Sequence, residues 1–265
     1  MQDDPVLSPS QSDSLDPARA QALLVALGRT DAIGPGDALP PFFHQLYFWQ
    51  PEPPERLGRD GHPKLGGVIP DMGLPRRMWA GGRLRFTFPL RAGVPASRST
   101  VCESSARKVG RTGPLAFVTL RHEIVQEGRV CLTEWQDLVY REDPDPAAPR
   151  PVPPQAPTDE EAARPMGFSS TLLFRYSALT FNGHRIHYDE DYARRVEGYD
   201  GLVVHGPLLA QLLMLMAADE LGPLEKFSFR AVSPVMHREA VTLCRQGRRL
   251  WVRGPDGRLA MEAGA

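Results

Sequence analysis

The densest group of polar side chains lies within residues 182–189, where six residues that can titrate or hydrogen-bond fall inside eight positions. Two of the seven histidines are here, and a third, His205, follows 18 residues after His187. Because histidine exchanges a proton near neutral pH without special tuning, this segment predicts a proton-transfer site. The six residues are Asn182, His184, Arg185, His187, Tyr188 and Asp189.

Several of these residues also have simpler roles. His184 and His187 could form half of a metal site with His205 as third ligand, but the intervening arginine and the loop character count against it. Asp189 precedes Glu190 and Asp191, so a helix N-cap is a better interpretation than an acid catalyst. His205 could hydrogen-bond the loop it faces, and residues 208–216 are interpreted as core packing and not as a cofactor motif.

The second half of the chain predicts a buried helix followed by strands. Residues 208–221 are apolar nearly all the way round, and Pro207 suits a first helical turn. A shorter helix should follow Ser169 and Ser170, and another should start at residues 189–191. Strands are expected over residues 226–232, 238–245 and 250–261, the last of these broken by the turn at residues 255–257.

The first half is predicted to be mainly antiparallel sheet. Strands are expected over residues 83–90, 115–125 and 130–140, with a hairpin at Glu127-Gly128. Four parts follow: an N-terminal segment, an N-terminal half-domain, a proline-rich extended linker and a C-terminal half-domain. The N-terminal segment should be weakly ordered apart from a helix at residues 18–27. The four ranges are 1–40, 41–142, 143–168 and 169–265.

Composition excludes several classes of protein. The formal net charge of −1, without a basic run, argues against nucleic-acid binding. The most apolar stretch, residues 208–218, is shorter than the roughly 20 residues that span a bilayer. Three widely separated cysteines offer neither a disulfide framework nor a zinc site, and residues 1–16 do not read as a secretory signal. We therefore expect a cytoplasmic protein without a membrane partner.

Residues 173–213 (LFRYSALTFNGHRIHYDEDYARRVEGYDGLVVHGPLLAQLL) resemble the hydratase motif of the MaoC-like enzymes. They are most similar to mitochondrial-type 3-hydroxyacyl-thioester dehydratases and to itaconyl-CoA and mesaconyl-CoA hydratases. Residues 75–86 (PRRMWAGGRLRF) resemble the N-terminal half of the same group. The resemblance implies an α+β double hot-dog fold, in which two antiparallel sheets each wrap a helix. The N-terminal helix is reduced, so that this half holds the acyl chain and is not catalytic.

The resemblance also implies roles for individual residues. The motif Asp-x-Asn-Pro-x-His places its histidine on His187 and its aspartate on Asn182, while its Asn-Pro pair falls on His184 and Arg185. The glycine whose amide binds the thioester oxygen falls on Gly206. Because an amide side chain cannot exchange a proton at neutral pH, Asn182 is expected to hold water while His187 carries the proton. We predict His205, Arg185 and Tyr188 as substrate-binding residues.

The resulting hypothesis is reversible hydration of a 2-enoyl thioester, or dehydration of a 3-hydroxyacyl thioester, by a hydro-lyase. An itaconyl-CoA or mesaconyl-CoA type of ester is expected as the partner, with no cofactor, no metal and a homodimer as the assembly. Three alternatives stay open: a 3-hydroxyacyl-carrier-protein dehydratase of fatty acid synthesis, a hot-dog thioesterase, and a non-catalytic acyl-thioester-binding protein. Free thiol release separates the thioesterase from the hydratase.

Overall fold

A computed structural model of the chain describes residues 10–64, 68–110, 113–143 and 151–265. It contains ten strands and four α-helices in these ranges, with short 3-10 helices at Phe43–Leu46, Pro54–Arg56 and Arg185–His187. In chain order the elements are β1 (Gln11–Asp13), α1 (Pro17–Ala26), β2 (Arg76–Phe86), β3 (Ala96–Gly110), β4 (Gly113–Gln126), β5 (Arg129–Arg141), β6 (Ala162–Gly167), α2 (Ser170–Leu179), α3 (Glu190–Arg195), α4 (Gly206–Leu221), β7 (Lys226–Ala231), β8 (Ala240–Gln246), β9 (Arg249–Arg253) and β10 (Leu259–Gly264).

The ten strands form one antiparallel sheet in the order β1-β3-β4-β5-β2-β7-β10-β9-β8-β6. Five strands come from each half of the chain, and the halves meet where β2 pairs with β7. Glycine is needed at this seam, because a Cβ on Gly81 would lie 2.6 Å from the carbonyl oxygen of Phe229. The predicted α+β double hot-dog fold is confirmed, with its two half-sheets joined edge to edge.

Helix α4 fills the C-terminal half-sheet as the apolar run predicted. Every residue from Leu208 to Ala217 is buried, and the helix packs on β2 and on β7 to β10. The N-terminal half has the 3-10 helix Phe43–Leu46 in place of a long helix, with Phe42, Phe43 and Leu46 at most 1% exposed. A reduced N-terminal helix is therefore observed as expected.

Two expectations about the N-terminal half need correction. Residues 11–16 are not weakly ordered, because β1 pairs with β3 and Leu15 is fully buried. The predicted helix at residues 18–27 is confirmed as α1, with Leu23 and Leu24 buried. The apolar side chains of this short segment are buried by contact with distant elements, which local composition does not show. The second correction is β3, a long strand that was not predicted because most of its side chains beyond Cys102 are polar and exposed.

The proline-rich linker is also shorter than the predicted range 143–168. Residues 144–150 lie outside the described residues, but Ala162–Gly167 forms β6 and pairs with β8. Pro165 is tolerated because β6 is the last strand of the sheet, where one side of the backbone needs no ladder partner. The hairpin at Glu127-Gly128 is confirmed, with positive φ at both residues. The division into two half-domains stays a prediction.

Among the described residues, no helix combines the length and apolar character needed to cross a membrane.

Candidate active site

The polar segment 182–189 forms a loop between α2 and α3. Helix α2 starts where the Ser169 hydroxyl accepts a hydrogen bond from Leu172 N, and Phe181 turns the chain with a φ of 51° after its end. The loop then makes the 3-10 turn Arg185–His187. Asp189 Oδ1 accepts from Tyr192 N at 3.0 Å, so Asp189 caps α3 as predicted. The side chains between these caps are therefore held on a rigid loop.

His187 is buried and fixed by one strong contact. Its Nδ1 lies 2.7 Å from the carbonyl oxygen of Val203. Because a carbonyl oxygen only accepts, Nδ1 carries the proton and Nε2 is the basic nitrogen of the neutral ring. Burial lowers the pKa of His187 to about 3, against the opposing effect of the Val203 bond. His187 is therefore a neutral imidazole near neutral pH, ready to accept a proton at Nε2.

His205 lies directly against His187. The two rings stack with centroids 3.6 Å apart and planes 20° from parallel. His205 Nε2 lies 2.8 Å from the hydroxyl oxygen of Ser177 on α2, so its partner is this helix and not the loop. Its Nδ1 has no hydrogen-bond partner among the described residues, and burial lowers the pKa of His205 well below its usual value. Both stacked rings are therefore uncharged.

Gly206 follows His205 and is the first residue of α4. Pro207 has no N–H, and the amides of Leu208 and Leu209 both donate to the His205 carbonyl. Gly206 therefore offers the one amide of this turn to which the described residues provide no acceptor. The position is open, since a Cβ there would meet only the Trp79 carbonyl oxygen at 3.8 Å. A free backbone amide at a helix N-terminus can donate a hydrogen bond to an oxyanion and stabilise its negative charge.

Asn182 also belongs to the loop that carries His187. Its side-chain oxygen accepts from the backbone N–H of His184 at 3.0 Å, and its own backbone N–H donates to the Ser177 carbonyl at 2.8 Å. The oxygen is thus occupied, and the amide nitrogen is the end that can donate to a water or hydroxyl. This geometry supports a positioning role for Asn182, which stays a prediction.

The predicted substrate-binding side chains Arg185 and Tyr188 have local partners. Arg185 forms a 2.7 Å ion pair with Asp189 and also donates to the Arg59 carbonyl oxygen, while the Tyr188 hydroxyl donates to the Gly183 carbonyl oxygen. Arg194 is paired in the same way with Glu190. These contacts stabilise the loop, and substrate binding by Arg185, Tyr188 and His205 stays a prediction.

The structure adds two residues that the sequence did not single out, Asp60 and His62. The His62 ring lies 4.4 Å from the His184 ring between centroids, and His184 lies 5.3 Å from His187 in an edge-to-face contact. His62 Nδ1 is 3.0 Å from Asp60 Oδ2. One feature of the sequence could have identified this pair. Asp60 and His62 are two positions apart in a glycine- and proline-rich segment, and loop residues often carry function.

The three histidines considered as metal ligands from the sequence, His184, His187 and His205, do not direct their ring nitrogens toward one point. His187 is occupied by Val203 at Nδ1, and the parallel stacking of its ring on His205 prevents both from facing one ion. Asp60, His62 and His184 instead have donor atoms within 4.8 Å of one another, the one such group found in the described part of the chain. Their residue types suit a divalent cation such as zinc.

A cleft of about 390 Å³ opens beside Asp60. It is lined by the loop that carries Asp60 and by the start of β2, and three of its side chains are cations: Arg59, Lys64 and Arg77. Arg59 is paired with Asp143, while Lys64 is exposed and donates to the Glu55 carbonyl oxygen. Two carboxylates, Asp60 and Asp71, also line the cleft, so its cationic rim consists of Lys64 and Arg77 together with the paired Arg59.

The sequence matches known proteins across most of its length. A sequence model of the hydroxyacyl-thioester dehydratase type 2 family matches residues 42–237. The chain is 48% identical over 231 residues to mesaconyl-C(4)-CoA hydratase of Chloroflexus aurantiacus, covering 85% of this chain and 82% of the relative. It is 27% identical over 235 residues to the mitochondrial hydroxyacyl-thioester dehydratase type 2 of Schizosaccharomyces pombe, covering 78% and 77%.

Solved structures share the fold at low identity. HtdX of Mycobacterium tuberculosis superposes with a TM-score of 0.69 at 15% identity and covers 98% of both chains. A MaoC-like dehydratase from Phytophthora capsici gives 0.68 at 12% identity, covering 97% of this chain and 94% of that one. A second Mycobacterium tuberculosis protein, described as a double hotdog fold, gives 0.60 at 15% identity, with coverage of 97% and 93%.

The charge state of His187 is directly measurable. Because the folded pKa of about 3 lies below the usual 6.5, the unfolded chain binds more protons between these values, and stability contributed by neutral His187 is lost as pH falls below 6.5. In nitrogen-15 histidine NMR spectra we expect His187 to remain neutral, protonated at Nδ1, between about pH 5 and 8. His187→Asn assigns the signal, and a midpoint near 6.5 would contradict the buried geometry.

Proposed function

The chain belongs to the hydroxyacyl-thioester dehydratase type 2 family and is a hydro-lyase of acyl thioesters, and we propose that His187, Asn182 and Gly206 carry its reaction. Family membership confirms the resemblance seen in residues 75–86 and 173–213. The reaction is the reversible addition of water across the double bond of a 2-enoyl thioester. The observation that carries the residue assignment is the stacking of the His187 ring on His205, the residue that precedes the free amide of Gly206.

The proposed step divides the work between these groups. His187 Nε2 accepts a proton from a water molecule as the water oxygen bonds to carbon 3 of the enoyl thioester. The electron pair of the double bond moves toward the thioester oxygen, which accepts a hydrogen bond from the Gly206 amide. Asn182 donates from its side-chain nitrogen to the water and keeps it oriented. Carbon 2 then takes a proton, which completes the hydration.

The free amide at Gly206 supports a large share of the rate. Removal of one oxyanion donor costs about 3–4 kcal/mol of activation free energy in well-studied enzymes. The N-terminus of α4 is partly exposed while the body of the helix is buried, so the donor is supported by the core. The helix dipole adds to the stabilisation of the negative oxygen in this geometry.

We propose a CoA ester of a short unsaturated dicarboxylic acid as the substrate, of the mesaconyl type that names the 48% identical relative. The interior of the N-terminal half supports a polar acyl group. Buried His44 and half-buried Gln45 contact the Glu134 carboxylate at 3.0 and 2.9 Å. They lie close to Phe42, whose ring is 6.1 Å from that of Trp79 beside Gly206. An aliphatic chain that displaced these contacts would leave buried polar groups unpaired, at a cost in binding free energy.

The setting of the protein is also proposed from its residues. Cys102, Cys131 and Cys244 are free thiols, which suits the reducing cytoplasm. A homodimer is favoured because an open sheet offers edge strands that can pair across a two-fold axis. CoA is preferred over carrier protein because the cationic rim of the cleft, with Lys64 and Arg77, can meet the phosphates of a nucleotide.

The role of His187 is tested by substitution. His187→Ala is expected to lower kcat for enoyl-CoA hydration by at least about a hundredfold with a smaller change in KM, because the proton acceptor is lost. His187→Asn, which can keep a donor toward the Val203 carbonyl, should be equally impaired although better folded. Steady-state hydration assays of both variants test the assignment, and thermal melting curves control for folding. Retention of most of the wild-type turnover would refute the assignment.

The cationic rim is tested with Lys64→Ala. We expect KM for the CoA ester to rise about two- to fivefold at low salt with little change in kcat, because an exposed ion pair with a phosphate is lost. The N-acetylcysteamine ester of the same acyl group has no phosphates, so its kinetics should not change. Lys226→Ala, an exposed lysine on β7, is the matched control. An equal effect on both esters would exclude phosphate binding at Lys64.

The substrate class is tested with a panel of enoyl-CoA esters on the purified wild-type chain. We expect kcat/KM for a mesaconyl-type dicarboxylyl ester to exceed that for crotonyl and long-chain enoyl esters by at least about tenfold, in keeping with the similarity of the chain to mesaconyl-C(4)-CoA hydratase. Loss of the conjugated enoyl absorbance is measured against release of free thiol. A preference for 3-hydroxyacyl chains on carrier protein would favour the carrier-protein dehydratase. Release of free thiol would favour a thioesterase, and binding without turnover would favour a non-catalytic acyl-thioester-binding protein.

A further inference from the structure

Two loops from opposite halves of the molecule meet through glycines beside His184. Gly61, with a φ of +86°, lies so close to the other loop that an added Cβ would be 2.1 Å from the Gly183 carbonyl oxygen. A Cβ on Gly183 would lie 2.8 Å from the Gly61 carbonyl oxygen. The Arg185 amide also donates to the Asp60 carbonyl oxygen at 2.8 Å. Because the two backbones touch, the side chains of Asp60 and His184 are brought together by the fold.

These loops place one carboxylate and two imidazole rings at a common point. Asp60, His62 and His184 each offer one oxygen or nitrogen atom, and these three atoms lie within 4.8 Å of one another. The rings of His62 and His184 are 4.4 Å apart between centroids. The side chains of His62 and Asp60 are 22% and 17% exposed, and His184 is 9% exposed. An ion at this point is therefore shielded by the protein and still reachable from solvent.

The spacing of the donor atoms suits a small divalent ion. Zinc binds imidazole nitrogen and carboxylate oxygen at about 2.0–2.2 Å, so two donors of a tetrahedral site lie about 3.3 Å apart. The 3.0 Å between His62 Nδ1 and Asp60 Oδ2 is close to this separation. The His184 donor lies within 4.8 Å of both, so a ring movement of at most about 1.5 Å completes the set. A bound ion takes the place of the proton between Nδ1 and Oδ2.

Hydrogen bonds to the backbone orient the ligands. Asp60 Oδ1 accepts from the backbone N–H of His62 at 3.0 Å, which directs the carboxylate toward that ring. Asn182 Oδ1 accepts from the backbone N–H of His184 at 3.0 Å and fixes the loop that carries this ring. Outer contacts of this kind are usual around metal ligands. Within the described ranges, neither ring nitrogen of His184 has a hydrogen-bond partner, so both are available to an ion.

The types of donor favour zinc over the hard cations. Magnesium and calcium prefer oxygen ligands alone, whereas two imidazoles with one carboxylate are typical of zinc. Three protein ligands leave a fourth position for water or another oxygen. We propose that Asp60, His62 and His184 bind one zinc ion, which joins the two halves of the molecule beside the loop of His187. This site differs from the three histidines considered from the sequence and from the expectation of no metal, and no step of the proposed reaction passes through it.

The metal content of the wild-type chain tests the proposal first. Protein purified without a histidine tag should contain about one zinc ion per chain by mass spectrometry of the elements. After removal of the metal with a chelator, competition with a chromogenic zinc indicator should give one site with a Kd of about 1 µM or below. Magnesium and calcium in millimolar excess should not displace the zinc, because neither prefers imidazole.

Zinc should also stabilise the fold. His62 and His184 are more than a hundred residues apart in the chain, and a metal that closes so long a loop restricts the unfolded chain. We expect the melting temperature of the metal-free protein to rise by about 5 °C when free zinc is about 100 times its Kd. Calorimetric scans with and without zinc measure this shift, and scans with magnesium serve as the control.

Two substitutions each remove one ligand. In Asp60→Asn and in His184→Phe, which keeps an aromatic ring at that position, the zinc Kd should rise at least about a hundredfold, and the melting shift should disappear. The matched controls are Glu55→Gln, an exposed change shortly before Asp60, and His237→Gln, a buried histidine outside the set. Both controls should bind zinc within about threefold of wild type. Each variant is compared with and without zinc, so a lower stability of its metal-free form does not imitate loss of the site.

Amide hydrogen exchange locates the ion without any substitution. Zinc should slow exchange in residues 58–64 and in residues 182–189, because the ion ties these two loops together. The hairpin of β8 and β9 lies away from the ligands in the sheet order and should exchange at the same rate with and without zinc. Slowing in only one of the loops, or elsewhere instead, would contradict a shared site.

This proposal and the proposed function fail in different ways. A wild-type chain without zinc and without a site of Kd below about 10 µM would overturn the metal site, whatever the hydratase activity. Equal zinc affinity of wild type, Asp60→Asn and His184→Phe would show an adventitious ion only. One zinc ion per chain at these ligands, together with no turnover of any enoyl-CoA ester in the panel, would establish the site and refute the proposed function.

Discussion

The face-to-face contact of His187 and His205 is the interaction on which the site depends. One ring belongs to the loop after α2, and the other is the residue that precedes α4, so their 3.6 Å stacking fixes the loop relative to the helix. The contact excludes a charge on both rings at once, because two imidazolium rings at this separation would repel each other in a buried environment. Burial provides that condition, since it lowers the pKa of both residues. The same desolvation that fixes the geometry therefore keeps the His187 ring neutral, which is the protonation state that the proposed role requires.

The position of α4 explains why the site lies where the two halves meet. The helix is buried along Leu208–Ala217, and it contacts both β2 and β7, the two strands that join the half-sheets. Its N-terminus is thus held at the seam, with the Trp79 carbonyl of β2 close to Gly206. A helix that is apolar on nearly every face cannot move without exposing much of its surface to water. The free amide of Gly206 is consequently a rigid donor.

The N-terminal half contributes polarity to the interior where a long helix is missing. The 3-10 helix Phe43–Leu46 leaves room for buried His44 and Glu134, and the charge of His44 helps to lower the pKa of Glu134 against its burial. Buried ionisable pairs are weak contributors to stability but impose specific partners. The buried polar side chains of the N-terminal half are therefore a consequence of its reduced helix.

Much of the molecule could be predicted from local sequence. The apolar run after Pro207 determined α4, the Glu127-Gly128 pair determined a hairpin, and Asp189 before two acidic residues determined a helix cap, because periodicity, turn preference and capping act over a few residues. The spacing of Asn182, His187 and Gly206 pointed to the hydratase motif before any coordinates. Only the tertiary structure decided that β6 accepts a proline at the sheet edge, that residues 11–27 join the core, and that Asp60 and His62 reach the loop of His187. These features depend on contacts such as that of Gly61 with Gly183, in which residues far apart in the chain meet because neither carries a side chain, and no local pattern records such a pairing.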